Sequence, residues 1–255
     1  METASPPPPS PWVQVNITYP GDTPLKRERH AVDHLTQVLP AAEAEGHIIS
    51  WWWIRKGAWR IRYQPTSPCS RDIVHTQLTR DHDCINDIYE PEVHGFGGHA
   101  SMDLAHTLWH ADSRHLLTYL ADTPTNRREL SLILCTALMH AADLDPGEQG
   151  EVWATIADQR APLRTDQPAP QAWAAFVDNV HQLVSGNPRP GTINPSWLTA
   201  FRHAGTQLAH LRSHGQLTRG IRAIAARHVI FHWNRIGISG PDQAALAQAA
   251  ADAAT

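Results

Sequence analysis

From Trp12 to Tyr19 the chain alternates apolar and polar positions. WVQVNITY puts Val13, Val15 and Ile17 on one face of a strand. YPGDTP breaks it, and Ala31, Leu35 and Leu39 then recur at helical spacing within residues 26–44, with Pro40 expected to shorten or kink that helix. HIISWWWIRK reads as a second strand, KGA as a turn and WRIRYQP as a third strand paired with the second. RDIVHTQLTR reads as a helix and CINDIYEPEV as a further strand. The order β-α-β-β-α-β over residues 12–93 is the ferredoxin-like arrangement, an antiparallel sheet covered on one face by two helices. The pattern then changes period. Residues 99–121, 127–143, 147–160, 169–184, 195–215 and 218–236 read as helices, with Pro-rich breaks at 162–170 and 187–195. The final PDQAALAQAAADAAT reads as a weak terminal helix or a frayed tail, and METASPPPPS at the start as an extended, disordered one. The fold class is therefore α+β: a small antiparallel sheet followed by a mostly helical half.

Composition narrows this little. The 255 residues suffice for one large domain or two small ones, and 42% hydrophobic with 18% charged residues describes a globular body. A net charge of −4 argues against a generic nucleic-acid surface. No apolar run approaches the roughly 20 residues of a membrane span, and the N-terminus lacks the basic-then-apolar order of a signal peptide. Cys69, Cys84 and Cys135 lack metal-ligand spacing, so reduced thiols in the cytoplasm are expected.

The chemistry concentrates in three places. Strand alternation sends Arg60 and Arg62 to one face and Trp59, Ile61 and Tyr63 to the other. Arg55 stands across the short turn, placed to join them. Two or three guanidiniums on one face suit a carboxylate or phosphate; the plainer alternative is a basic, solvated sheet face. Next, IYEPEVHGFGGHASMDLAH carries Glu90 and Glu92 before Gly95, Gly97 and Gly98, where one carboxylate is expected to orient an arginine or take part in proton transfer. The plainer alternative is a charged turn. Third, His228, His232 and Arg235 fall at i, i+4 and i+7 of one inward stripe that also carries Ile221, Ile224 and Ala225. They are either hydrogen-bonded core residues or catalytic ones. His106 and His110, with Asp112 nearby, share a helix face but lack the glutamate of an H-E-x-x-H site, and incidental histidines explain them better.

WVQVNITYPGD, GHIISWWWIRKGAWRIRY, IYEPEVHGFGG, MDLAHTLWHADSRHLL, RRELSLILCTALMHAADLDPGEQGEVW and HVIFHWNR occur in this order. Together they resemble the thiopeptide-type bacteriocin biosynthesis proteins, which are similar to the C-terminal elimination domain of class I lantibiotic dehydratases, here standing alone. The resemblance covers about residues 11–239. It implies a single elimination-type domain over 11–240, with a sheet half (11–98) and a helical half (99–240), between the Pro-rich tail 1–10 and an Ala-rich tail 241–255. It implies a lyase that expels glutamate from glutamylated Ser or Thr of a ribosomally made precursor peptide, leaving dehydroalanine or dehydrobutyrine. A separate glutamyl-tRNA-dependent protein would supply the glutamyl ester. Neither metal nor organic cofactor is implied, and neither direct nucleic-acid contact nor a membrane span; a homodimer stays open.

Within the resemblance, Arg60, Arg62 and Arg55 match the arginines of the two strands, and Glu92 an acidic position before the Gly-Gly pair. His228 or His232 would be the base, and Arg60 and Arg62 would hold the glutamyl group and stabilise developing charge, with Arg55, Glu92 and Arg235 supporting substrate binding. Two departures stand out. Gly95 occupies the place of an arginine in the fused enzymes, and the histidines are spaced differently before Asn234-Arg235. The alternatives are a pyridine synthase performing a formal aza-cycloaddition, a non-catalytic peptide-binding subunit of the modification complex, and a helical carboxylate-binding protein.

Overall fold

The computed structural model describes residues 11–165, 168–185 and 193–254. The expected tail 1–10 and parts of both Pro-rich breaks lie outside the described residues. The chain divides into two compact units, Met1–Pro91 and Glu92–Thr255, so the turn bearing Gly95 to Gly98 belongs to the second.

The first unit contains β1 (Val13–Thr18), α1 (Pro24–Ala44), β2 (Ile48–Lys56), β3 (Ala58–Pro65), α2 (Pro68–Thr79) and β4 (Asp83–Asp87). The strand order β2-β3-β1-β4, antiparallel throughout, is the ferredoxin-like arrangement the sequence predicts. Both helices begin with a capping hydroxyl followed by proline. Thr23 and Ser67 accept from the backbone N–H groups of Lys26 and Ser70, and Pro24 and Pro68 occupy positions where a missing N–H costs nothing. α1 runs on through Pro40 to Ala44, against the expected shortening. The loss of one N–H is outweighed by buried Leu35, Leu39 and Ala42 on the same stripe. β4 ends at Asp87, earlier than the alternation of CINDIYEPEV suggests. Gly57, at φ +76, turns β2 into β3 and places Arg55 opposite Trp59.

The tryptophan run divides as its alternation requires. Trp51 and Trp53 share one face, their rings 6.2 Å apart and near-parallel, and Trp51 Nε1 donates to Glu43 of α1 at 2.8 Å. Trp52 takes the other face.

The second unit is helical: α3 (His99–Ala121), α4 (Arg127–Ala141), α5 (Pro146–Arg160), a 3₁₀ turn (Ala161–Leu163), α6 (Pro170–Val184), α7 (Pro195–Ser213), α8 (Ile221–Ile236) and α9 (Gly240–Asp252). α8 is buried along most of its length and packs on α3, α4 and α5. Of the two readings of the final segment, the helix is the one that forms: Gly240–Asp252 is capped by Ser239 and seated on α5. Alanine carries little hydrophobic signal in sequence, yet it permits close approach, and Ala244, Ala247, Ala249 and Ala250 are wholly buried. α4 and α7 also meet without a side chain between them. A Cβ at Gly205 would lie 2.2 Å from the Leu138 carbonyl oxygen. Gly205→Ala should therefore force the two helices apart and lower stability by about 1–3 kcal/mol. Gly220→Ala, with open space around the new methyl, is the control; equal urea midpoints for the two variants would refute the close crossing.

Candidate functional site

Register fixes what each side of the sheet presents. Arg62 lies between Gln14 and Trp52, and Arg60 between Asn16 and Ile54, so both guanidiniums leave the same face. Arg62 is buried and held: its Nε donates to Gln14 Oε1 at 2.6 Å, and its Cζ lies 4.4 Å from the Trp52 ring centroid and 4.5 Å from that of Tyr89. Trp12, Trp52 and Tyr89 contact one another edge to face, which gives Arg62 an aromatic cage. Arg60 is half-buried and makes no hydrogen bond among the described residues. Asp87 bonds to Gln14 at 2.8 Å and Asn16 at 3.0 Å. Its carboxyl sits below the usual range because of the Asn16 hydrogen bond first, then the Ile88 N–H, with the Arg60 and Arg62 charges adding to the effect. The face thus holds one caged guanidinium and one able to take a new anionic partner.

Arg55 does not join them. Opposite Trp59, it emerges on the helix-covered face, where it pairs with buried Glu28 of α1 and lies 4.2 Å from the Trp59 ring centroid. An arginine committed to a buried carboxylate is part of the unit's packing. A cleft of about 800 Å³ opens between the N-terminal part of α2 and the β1 and β4 ends, and neither Arg60 nor Arg62 is among its walls. Trp12, Gln14, Arg71, His75, Asp87 and Tyr89 are among its walls.

In the helical unit, Glu92 orients an arginine, as one reading of the sequence expects, and the arginine is Arg227 of α8. Arg227 Nη1 donates to Glu92 Oε2 at 2.5 Å. Glu90, exposed, falls in the first unit. Gly97 and Gly98, at φ +84 and +114, carry the turn into α3 through a backbone geometry other residues avoid. Phe96 enters the core, edge-on to Trp109 (5.0 Å), Phe231 (5.1 Å) and His228 (5.2 Å).

His228, His232 and Arg235 line the inward stripe as predicted, and they are core residues. His228 is 2% exposed; His232 and Arg235 are fully buried. Asp112 of α3 ties the stripe together. Its Oδ2 accepts from His232 Nδ1 at 2.9 Å and from Arg235 Nε and Nη2 at 2.9 and 2.7 Å, while Oδ1 accepts from Trp197 Nε1 at 2.8 Å. A carboxylate only accepts, so His232 carries its proton on Nδ1. Burial raises the Asp112 pKa, but the His232 and Arg235 charges and hydrogen bonds outweigh it and bring it to about 2. His228 is the opposite case. Neither ring nitrogen has a hydrogen-bond partner among the described residues, and burial, then the Arg235 charge, drives its pKa down to about 3. A buried imidazole held neutral so far below working pH is a poor proton acceptor, so the expectation of an open late-helix base meets two closed rings. Asp112 was recognised in sequence only beside His106 and His110. It turns inward, His106 is buried edge-on to Trp109, and no metal-holding group of three or more His, Cys, Asp or Glu occurs among the described residues.

A profile of the family described as "Lantibiotic biosynthesis dehydratase C-term" matches residues 12–254. Three solved structures share the fold. The tRNA-dependent lantibiotic dehydratase MibB from Microbispora sp. 107891 superposes with a TM-score of 0.70 at 15% identity over 97% of this chain. This chain spans only 28% of MibB. TsrL gives 0.66 at 16% identity, covering 95% of this chain and 93% of TsrL. TbtD, the pyridine synthase from thiomuracin biosynthesis, gives 0.63 at 14% identity, covering 95% and 97%. No curated protein sequence matches the chain.

Proposed function

The chain belongs to the lantibiotic biosynthesis dehydratase C-terminal family, and on that premise we propose that it eliminates glutamate from glutamylated Ser or Thr of a ribosomally made precursor peptide. The observation that carries this reading is the arginine pair. Arg60 and Arg62 share one face, and Arg60 is left able to take a carboxylate. In the reaction a base removes the Cα proton of the acylated residue, the Cα–Cβ double bond forms, and the Cβ–O bond breaks. Its electron pair leaves with glutamate as a carboxylate. Negative charge therefore develops twice, on the enolate oxygen and on the departing acid. A guanidinium placed before the reaction stabilises it without reorganisation. The caged Arg62 meets that requirement, and Arg60 supplies the adaptable second fork. The cleft of the same unit, which shares Gln14 and Tyr89 with the surroundings of Arg62, offers an extended peptide room.

The test is mass spectrometry of a glutamylated precursor incubated with the protein. Wild type should convert it to the dehydrated peptide with release of glutamate. Arg60→Ala should slow that step by about 100-fold, the lower end of the loss typical of one charge-stabilising group. An unchanged rate in the Arg60 variant would remove the arginine pair from the mechanism.

One observation favours a second reading. The chain covers nearly all of TbtD and TsrL but a small part of MibB. A pyridine-forming cyclase would leave the glutamylated peptide untouched and instead release the leader from a dehydrated, azole-bearing precursor. A non-catalytic peptide-binding subunit would change neither.

A further inference from the structure

Arg227 is placed by an absence. A Cβ at Gly95 would lie 2.9 Å from its Cζ, 3.0 Å from Nη1 and 3.1 Å from Nε, so the guanidinium rests across the bare glycine backbone. Glu92, one turn earlier, takes Nη1. No other hydrogen bond from this guanidinium is made among the described residues, and the Arg227 side chain is one-third exposed. The carboxylate fixes the plane of the fork, the glycine sets its position, and the remaining N–H groups are open to a second acceptor. The same turn delivers the chain into α3, whose Gly98 N-cap makes no side-chain capping bond, so the first N–H groups of a 23-residue helix add partial positive charge nearby.

An exposed ion pair alone contributes little to stability. That leaves the exact fit of Gly95 beneath Arg227 without a stability rationale. A fork held rigid at the surface loses less entropy when it closes on a planar anion. We propose that Arg227, laid across Gly95 and aimed by Glu92, forms a carboxylate-binding subsite of the helical unit that takes an acidic group of the peptide substrate. The substrate class rests on the functional reading above; the subsite itself rests on the three residues.

Two measurements separate these claims. The first uses glutarate as probe, with neutral glutaramide as control, in calorimetric titrations. Wild type should bind glutarate and not glutaramide, and Arg227→Ala should lose the binding. Gly95→Ala is the second variant. Its backbone lies outside the left-handed region, and the three atoms nearest the new methyl all belong to the guanidinium, so glutarate binding should weaken although the charge is retained. The double variant should be no worse than Arg227→Ala. The second measurement is elimination kinetics. Arg227→Ala should raise KM for glutamylated precursor about 10-fold, the contribution of one charge-assisted hydrogen bond, with kcat changed less than KM, and Arg227→Lys should recover only part. Glutarate bound equally by wild type and Arg227→Ala, or by neither, overturns the subsite. Glutarate bound through Arg227 by a protein that eliminates nothing leaves the subsite standing and removes the lyase reading.

Discussion

Replacing Asp112 by Asn should cost about 3–5 kcal/mol of stability, the penalty for stranding one member of a buried ion pair. Arg235 is fully buried and directs both Nε and Nη2 to the Asp112 carboxylate. An amide cannot offset the guanidinium charge, and the Trp197 and His232 bonds would weaken with it. The network joins α3, α7 and α8, so its loss should loosen the whole helical unit. Changing both charged partners should be far gentler: Asp112→Leu with Arg235→Met is expected to recover most of the loss, because the desolvation penalty leaves together with the attraction. The pH dependence has a definite sign. The folded-state pKa of Asp112, about 2, lies below its ordinary 3.8. Its contribution is therefore complete above pH 3.8 and is lost as pH falls through 2. Urea titrations at pH 7 on the two single variants and the double variant decide the matter; a double variant as unstable as Asp112→Asn would mean the network does not act as a unit.

What could be read from the sequence follows the range of each interaction. The sheet order was legible because alternation and turn residues act over a few positions. Arg60 and Arg62 were placed correctly for the same reason. Arg55 was misplaced because its face depends on the turn centre: with Gly57 at the apex, Arg55 pairs with Trp59 and must leave on that side. The inward stripe of α8 was legible from its 3.6-residue period, but its chemistry was not. Asp112 is 120 positions from His232, and no local pattern signals such a partner. Arg227 gave no sign either, since its position is defined by the missing side chain at Gly95, which in sequence reads only as a turn. α9 reads only as a weak helix because alanine packs closely while barely marking an amphipathic face.

Acid should destabilise this protein through His228 well before Asp112 titrates. The ring is buried against Phe96, faces the Arg235 charge, and has no hydrogen-bond partner for either nitrogen among the described residues. Its folded pKa, near 3, lies below its ordinary 6.5. Between those values the unfolded chain binds a proton that the folded chain refuses, so stability falls as pH drops below 6.5 and stops falling near 3. Each unit of that interval is worth about 1.4 kcal/mol, which gives a loss on the order of 2 kcal/mol between pH 7.5 and 5 from this residue alone. Asp112 adds nothing in that window, being ionised in both states. His34 and His115, also lowered by burial, push in the same direction, so the informative quantity is the difference between wild type and a His228 variant. His228→Leu keeps the apolar contacts and removes the proton site. It should match or exceed wild-type stability at pH 7.5, because an unsatisfied polar ring gives way to a hydrocarbon. It should then hold about 2 kcal/mol more than wild type at pH 5, measured by urea unfolding. Parallel losses in the two proteins would show that the proton finds His228 without opening the core.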